Sequence, residues 1–210
     1  MPGKGTRVQK KTRGQYHHGN LREALIDAGL KLIARFGVRA LTLREIGSQL
    51  GVSRMAAYRH FTDKAALLSA IREAGFTLFA EALEDARHKA GKAAAAQLKA
   101  MALAYVRFAA THPAYIEVMF SWGEDRSEES RKPNPAGARA FGILEETIRQ
   151  GQASGEIRAG NSTLLARVVW AQVHGISMLR LATDLSPSGE GQKFVQFSSA
   201  ILESGLLLNE

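Results

Sequence analysis

Residues 42–64 read Thr-Leu-Arg-Glu-Ile-Gly-Ser-Gln-Leu-Gly-Val-Ser-Arg-Met-Ala-Ala-Tyr-Arg-His-Phe-Thr-Asp-Lys, two helix starts separated by one helix stop. No other stretch constrains the fold as tightly. Thr42 with Glu45 three residues on forms a capping box, and Leu41 can staple to Ile46, so a helix is predicted to begin at Leu43. Gly51 ends it, because a left-handed residue just past a helix end costs glycine almost nothing. Ser53 can then cap the next helix by accepting from its first N–H groups. Two short helices across a tight turn make a helix-turn-helix. The second helix presents Arg54, Met55, Ala56, Tyr58, Arg59 and His60: hydrogen-bond donors and small apolar groups with no carboxylate. That is the chemistry of a helix lying against DNA, where an acid would be repelled.

The charge distribution agrees. Residues 1–60 hold 12 Lys/Arg against 3 Asp/Glu, whereas the other 150 residues hold 16 against 17. Basic character confined to the N-terminal quarter is the footprint of a phosphate-binding module on a near-neutral body. The chain has 210 residues, 45% of them hydrophobic, enough for a real core. With no cysteine, disulfides, thiolate metal sites and cysteine nucleophiles are excluded, and the expected address is the cytoplasm. Apolar runs are short and interrupted, so no membrane span is expected.

Along the chain, residues 1–18 lack apolar periodicity and read as a flexible basic arm. Its Lys4, Arg7, Lys10, Lys11 and Arg13 either reach an adjacent minor groove or are inert. Asn20 with Glu23 is a second capping box, followed by Leu21, Ala24, Leu25, Ala28, Leu32, Ile33 and Phe36 as a buried stripe up to Gly37. Thr62 is expected to cap a long helix running to about Gly91, ~40 Å at 1.5 Å per residue, which can join a small head to a second domain. A helix from Ala93 to Thr111 stops or kinks at Pro113. A short apolar segment, Tyr115–Trp122, precedes the loop expected over Gly123–Gly137. Ala138–Gln152, Thr163–Thr183 and Gln192–Leu208 read as further helices. No segment alternates as a strand does, so the expected fold is all-α.

At Gly51-Val52-Ser53-Arg54-Met55-Ala56-Ala57-Tyr58-Arg59-His60-Phe61, followed by Lys64 and Leu67-Leu68, the chain resembles the tetracycline-repressor (TetR/AcrR) family of bacterial transcription regulators. Tyr16-His17-His18-Gly19-Asn20-Leu21-Arg22 and Trp170-Ala171-Gln172-Val173-His174-Gly175 look like a branch with a Trp–His–Gly signature in its C-terminal domain. Many relatives carry Gly where Met55 stands. The resemblance implies a helix-turn-helix DNA-binding domain over 19–65 and a helical ligand-binding and dimerisation domain over 66–210. It implies phosphate contacts from Thr42, Tyr58, His60 and Lys64, and base-edge contacts from Arg44, Arg54, Met55 and Ala56. Arg44 and Arg54 can bind guanine in bidentate fashion or hold a phosphate, and Tyr58 can instead belong partly to the core. Ser53 and Arg59 complete the candidate DNA set. Repression is implied by the family's habit.

Two heads on a palindrome multiply the few contacts one small head makes, so a homodimer is expected through the last two helices. The alternative is burial of those helices within one chain. The resemblance also implies a small-molecule effector in the body, with Phe79, Met101, Tyr105, Phe108, Met119, Phe120, Trp122, Phe141, Trp170, His174 and Met178 as candidate lining. That lining suits a hydrophobic or flat aromatic effector. Aromatic and Met residues at helical spacing also make ordinary core, and His174 alone reads as a hydrogen-bonded core histidine. No metal-ligand spacing, nucleophile elbow or phosphate loop appears, so neither cofactor nor metal is expected and an enzyme is the weaker reading. A nonspecific architectural DNA binder, using the same head without an effector, is the other alternative.

Overall fold

The computed structural model describes residues 21–120, 134–183 and 189–207. Among them are nine α-helices and one short 3-10 turn, in the order α1 Leu21–Phe36, the turn Val38–Ala40, α2 Leu43–Gln49, α3 Arg54–His60, α4 Lys64–Lys89, α5 Ala94–Thr111, α6 Pro113–Phe120, α7 Pro135–Ser154, α8 Ser162–Ala182 and α9 Glu190–Leu206. The fold is all-α. The only strand-like feature among the described residues is an isolated bridge between Ile157 and Leu207.

Two hydrophobic cores share the chain. The first is almost wholly aliphatic: Leu25, Leu32 and Ile33 of α1, Leu41, Leu43 and Ile46 around α2, Ala57 of α3, Phe61, and Leu67, Ala70 and Ile71 of α4. The second is rich in aromatic and Met side chains: Phe76, Phe79 and Leu83 of α4, Met101, Tyr105 and Phe108 of α5, Met119 of α6, and aliphatic residues of α7 and α8. Helix α4 belongs to both, changing core between Ile71 and Phe76. Helix α6 does the same over one turn, with Val118 in the first core and Ile116 and Met119 in the second. The two cross closely at Gly75, where an added Cβ would lie 2.8 Å from both the Met119 Sδ and the Tyr115 ring.

Several expectations are corrected. Asp63, not Thr62, caps α4: its carboxylate accepts from the Ala66 N–H at 2.8 Å from an extended backbone, and Thr62 stands one residue too early. Phe36 is 61% exposed, at the end of α1 with the Arg35 guanidinium 5.4 Å from its ring centroid, and does not extend the buried stripe. The apolar stretch from Tyr115 is mostly helix α6, with Pro113 at its start. The loop expected to reach Gly137 ends earlier, because Asn134 caps α7 through the Gly137 N–H and Pro135 occupies its first turn. Proline there has no N–H to lose and a φ already suited to a helix start. The basic arm, Asn20, Trp122 and most of that loop lie outside the described residues.

Candidate nucleic-acid interface

The turn between α2 and α3 is held by the groups that the capping pattern names. Thr42 accepts from the Glu45 N–H at 3.1 Å, and Ser53 from the Ala56 N–H at 3.2 Å. The Glu45 carboxylate accepts instead from Gln49 at 3.2 Å, one turn along α2, so of the expected capping box the Thr42 half forms and the return bond to the Thr42 N–H does not. Gly51 has φ 67°, in the left-handed region that a side chain would strain. Leu41 and Ile46, both fully buried, sit in one core as a staple requires. Gly47 lets α3 approach closely, since its missing Cβ would stand 3.6 Å from the Ala57 Cβ.

Helix α3 is therefore fixed from below by Ala57, which is fully buried, and shows its other faces to solvent. Arg54, Met55, Tyr58, Arg59 and His60 are exposed, Met55 by 67%, and Ala56 is half-buried between them. The Arg54 guanidinium lies 5.3 Å from the Tyr58 ring centroid, one turn away, an arrangement that pre-orients the arginine before any ligand arrives. Thr42, Arg44 and Ser53 are exposed around the same turn. Because the Thr42 and Ser53 hydroxyls accept at their caps, each keeps its proton for donation outward.

Lys64 has a structural role that its sequence position hides. Its ammonium donates to the carbonyls of Val38 at 2.8 Å and Arg39 at 3.3 Å, tying the start of α4 to the 3-10 turn before α2. An ammonium has three donors, so one remains for a phosphate. The same turn is also held by the exposed Glu117 of α6, whose carboxylate accepts from the Val38 N–H at 2.9 Å. Sequence reasoning passed over Glu117. The signal was there: it is the one acid in an otherwise apolar helix.

In the second core the candidate lining residues converge. Phe79 is ringed by Tyr105, Phe108 and Trp170 at centroid distances of 4.8, 5.2 and 5.8 Å. Phe141 lies 5.9 Å from Trp170, and Phe120 4.5 Å from His174. Met101 and Met119 are buried in this core and Met178 packs against it. The Tyr105 hydroxyl meets His174 Nδ1 at 2.7 Å. Burial pushes the Tyr105 hydroxyl up and holds the His174 imidazole down, so both are neutral. Two neutral groups thus share one hydrogen bond inside the body, each the other's polar partner. The void beside Met101, Tyr105 and Trp170 measures about 30 Å³, room for a water molecule. A larger groove of about 460 Å³, which the sequence reading did not foresee, lies between α5, α8 and α9. Among the described residues no group of His, Cys, Asp and Glu is placed to hold a metal, and no described helix is long and apolar enough to cross a membrane.

Comparison with known proteins assigns both halves. Residues 25–71 match the model of the bacterial regulatory proteins, tetR family, and residues 98–199 match the tetracyclin repressor-like C-terminal domain. Over 57 residues the chain is 44% identical to the tetracycline repressor protein class C of Escherichia coli, covering 27% of this chain and 26% of that protein. The chain thus matches about a quarter of the length of such curated relatives. A protein of unknown function from Rhodococcus sp. RHA1 is 30% identical, with a TM-score of 0.80 over 93% of this chain and 100% of that one. SmeT, solved as a triclosan complex, shares the fold at 20% identity, with a TM-score of 0.68 over 90% of this chain and 92% of its own.

Proposed function

We propose a function from one premise: the chain belongs to the tetR family of bacterial regulatory proteins. It is a sequence-specific DNA-binding repressor that works as a homodimer on a palindromic operator and is released by a small hydrophobic or aromatic effector. Residues 19–65 form the DNA-binding domain, residues 66–210 the sensing and dimerisation domain, and residues 1–18 a basic arm. The chain is not an enzyme, and its place is the cytoplasm.

The exposed face of α3 carries this reading. Five side chains with donors or apolar surface and no carboxylate stand on a helix anchored by Ala57. Arg54 and Arg44 read base edges or hold phosphates, Met55 and Ala56 contact thymine methyls, and Thr42, Ser53, Tyr58, Arg59, His60 and Lys64 fix the register on the backbone.

Dimerisation has its own support. On α8, Leu164, Val168, Ala171, Gly175 and Leu179 recur at steps of three and four and form one face, of which all but the half-buried Gly175 are exposed. Val169, Val173 and Ile176 on the opposite face are buried within the chain. Around Gly175 there is open space, which permits close approach of a second helix. Helix α9 adds Phe194, Phe197 and Ile201, with Phe197 68% exposed. So much exposed apolar surface on two adjacent helices suits a four-helix contact between protomers.

The effector acts by favouring one spacing of the two heads over the other. Helices α4 and α6 are the physical link, since each packs in both cores. SmeT holds triclosan on this fold, which supports a body able to take a small molecule. Selection of duplexes from a random pool by the purified protein tests the proposal. Enrichment of an inverted repeat supports it. Binding without enrichment, with a steep salt dependence, replaces it with an architectural binder, and absence of binding removes it.

A further inference from the structure

The void beside Met101, Tyr105 and Trp170 has room for no more than a water molecule, whereas the groove between α5, α8 and α9 is open and about 460 Å³ in volume, within the range of small-molecule sites. Its walls are mainly aliphatic, with a few polar side chains among them. Leu98 and Ala102 of α5, Val173 and Ile176 of α8, and Leu202 of α9 line it, and no aromatic side chain does. Such a surface offers dispersion and burial but no ring to stack on, so it selects chains and saturated rings over flat aromatics.

Helix α9 is the cover. Its C-terminal end is pinned by the Ile157–Leu207 bridge, by the Arg158 N–H to the Leu206 carbonyl at 3.0 Å and by the Arg158 guanidinium to the Gly205 carbonyl at 3.1 Å. Farther along, the Gln172 side-chain amide of α8 donates to the Ser198 carbonyl. Two opposite charges line the groove from facing helices, Lys99 on α5 and Glu203 on α9. Among the described residues neither is in an ion pair.

We propose that this groove binds an uncharged, mainly aliphatic small molecule ending in a hydroxyl or primary amide, its tail under α9 and its head accepting from Lys99 while donating to Glu203. A carboxylate head would gain Lys99 but face Glu203, and an ammonium head would meet the reverse. A group that both accepts and donates uses the two charges together. The site adjoins the aromatic cluster, sharing Leu98, Ala102, Val169 and Val173 with the void beside Tyr105 and Trp170, but takes none of its rings into its own lining. It deepens the reading of the body as a sensor and rests on that reading for its biological meaning, while binding itself is measured without DNA.

Titration calorimetry of the full chain with 1-decanol, decanoate and decylamine is the test. One saturable decanol site per chain is expected, bound at least tenfold more tightly than either charged analogue. Glu203→Gln should bring decanoate level with decanol, and Lys99→Gln should do so for decylamine. Ala102→Phe, which fills the groove from α5, should abolish binding, and Ser199→Phe fills it from α9 should the first plug fail to fold. Absence of saturable decanol binding overturns the site, as does binding that survives a folded plug or is lost in Tyr105→Phe. An unchanged head-group order in both charge variants overturns the roles of Lys99 and Glu203. A chain that binds decanol yet selects no DNA would sink the regulator reading and leave the site standing.

Discussion

The two cores handle their distinctive side chains in opposite ways. Around α1 to α3 the interior is nearly all Leu, Ile and Ala, and the residues with unusual chemistry, Arg54, Tyr58, Arg59 and His60, point outward. In the body the unusual residues point inward: Phe79, Tyr105, Trp170 and His174 pack on one another. A plain core with a chemical surface identifies its partner from sequence, because each exposed side chain on a capped helix is free for recognition. A chemical core under a mixed surface does not, because the same residues are needed simply to fill space.

This contrast can be broken by substitution. Phe79→Ala removes a fully buried ring from the centre of the aromatic cluster and should cost about 3–5 kcal/mol, read as a lowered denaturant midpoint. Arg54→Glu should do the reverse: stability stays within about 0.5 kcal/mol, as for an exposed site, while affinity for the selected duplex falls roughly 100-fold, near the upper end for loss of a bidentate contact. A large stability loss in Arg54→Glu would contradict the outward assignment of α3.

The junction between cores gives smaller effects. Gly75→Ala places a Cβ 2.8 Å from Met119 and Tyr115 and should cost about 1–3 kcal/mol by overpacking where α4 crosses α6. Glu117→Ala removes the acceptor for the Val38 N–H and should cost about 1 kcal/mol. Hydrogen exchange at Val38 should speed up, whereas Glu117→Gln, which keeps a carbonyl acceptor, should preserve most of the protection.

Smallest is a pH effect. Burial lowers the His174 imidazole from its usual value near 6.5, so the unfolded chain takes up the proton first as pH falls. The contribution to stability is complete above that value and is lost on acidification. The denaturant midpoint should drop between pH 7.5 and 5.5 by more in the wild type than in His174→Gln. Equal drops would place the titrating group elsewhere.

How far the sequence could be read follows the same division. The caps at Thr42 and Ser53 and the stop at Gly51 are local devices whose chemistry lies within four residues, and all three are realised. Thr62 misled because Asp63 is also a capping residue and the choice between neighbours depends on where the chain turns. Pro135 misled because proline marks loops and helix starts alike, and only the Asn134 cap decides between them. Phe36 fits the helical period yet lies beyond the reach of the core. Lys64 and Glu117 act on backbone groups far away in sequence, which periodicity cannot show. The groove under α9 has no sequence signature, being a gap between three helices whose aliphatic faces look like core.

The most direct test of the central account is the affinity of the chain for its selected duplex, whole and cut to one half, at two salt concentrations. A twofold dimer reading through α3 predicts that the whole inverted repeat is held at least 100-fold more tightly than one half, with both affinities falling as salt rises. Equal affinity for the whole site, the half and an unrelated duplex would contradict it.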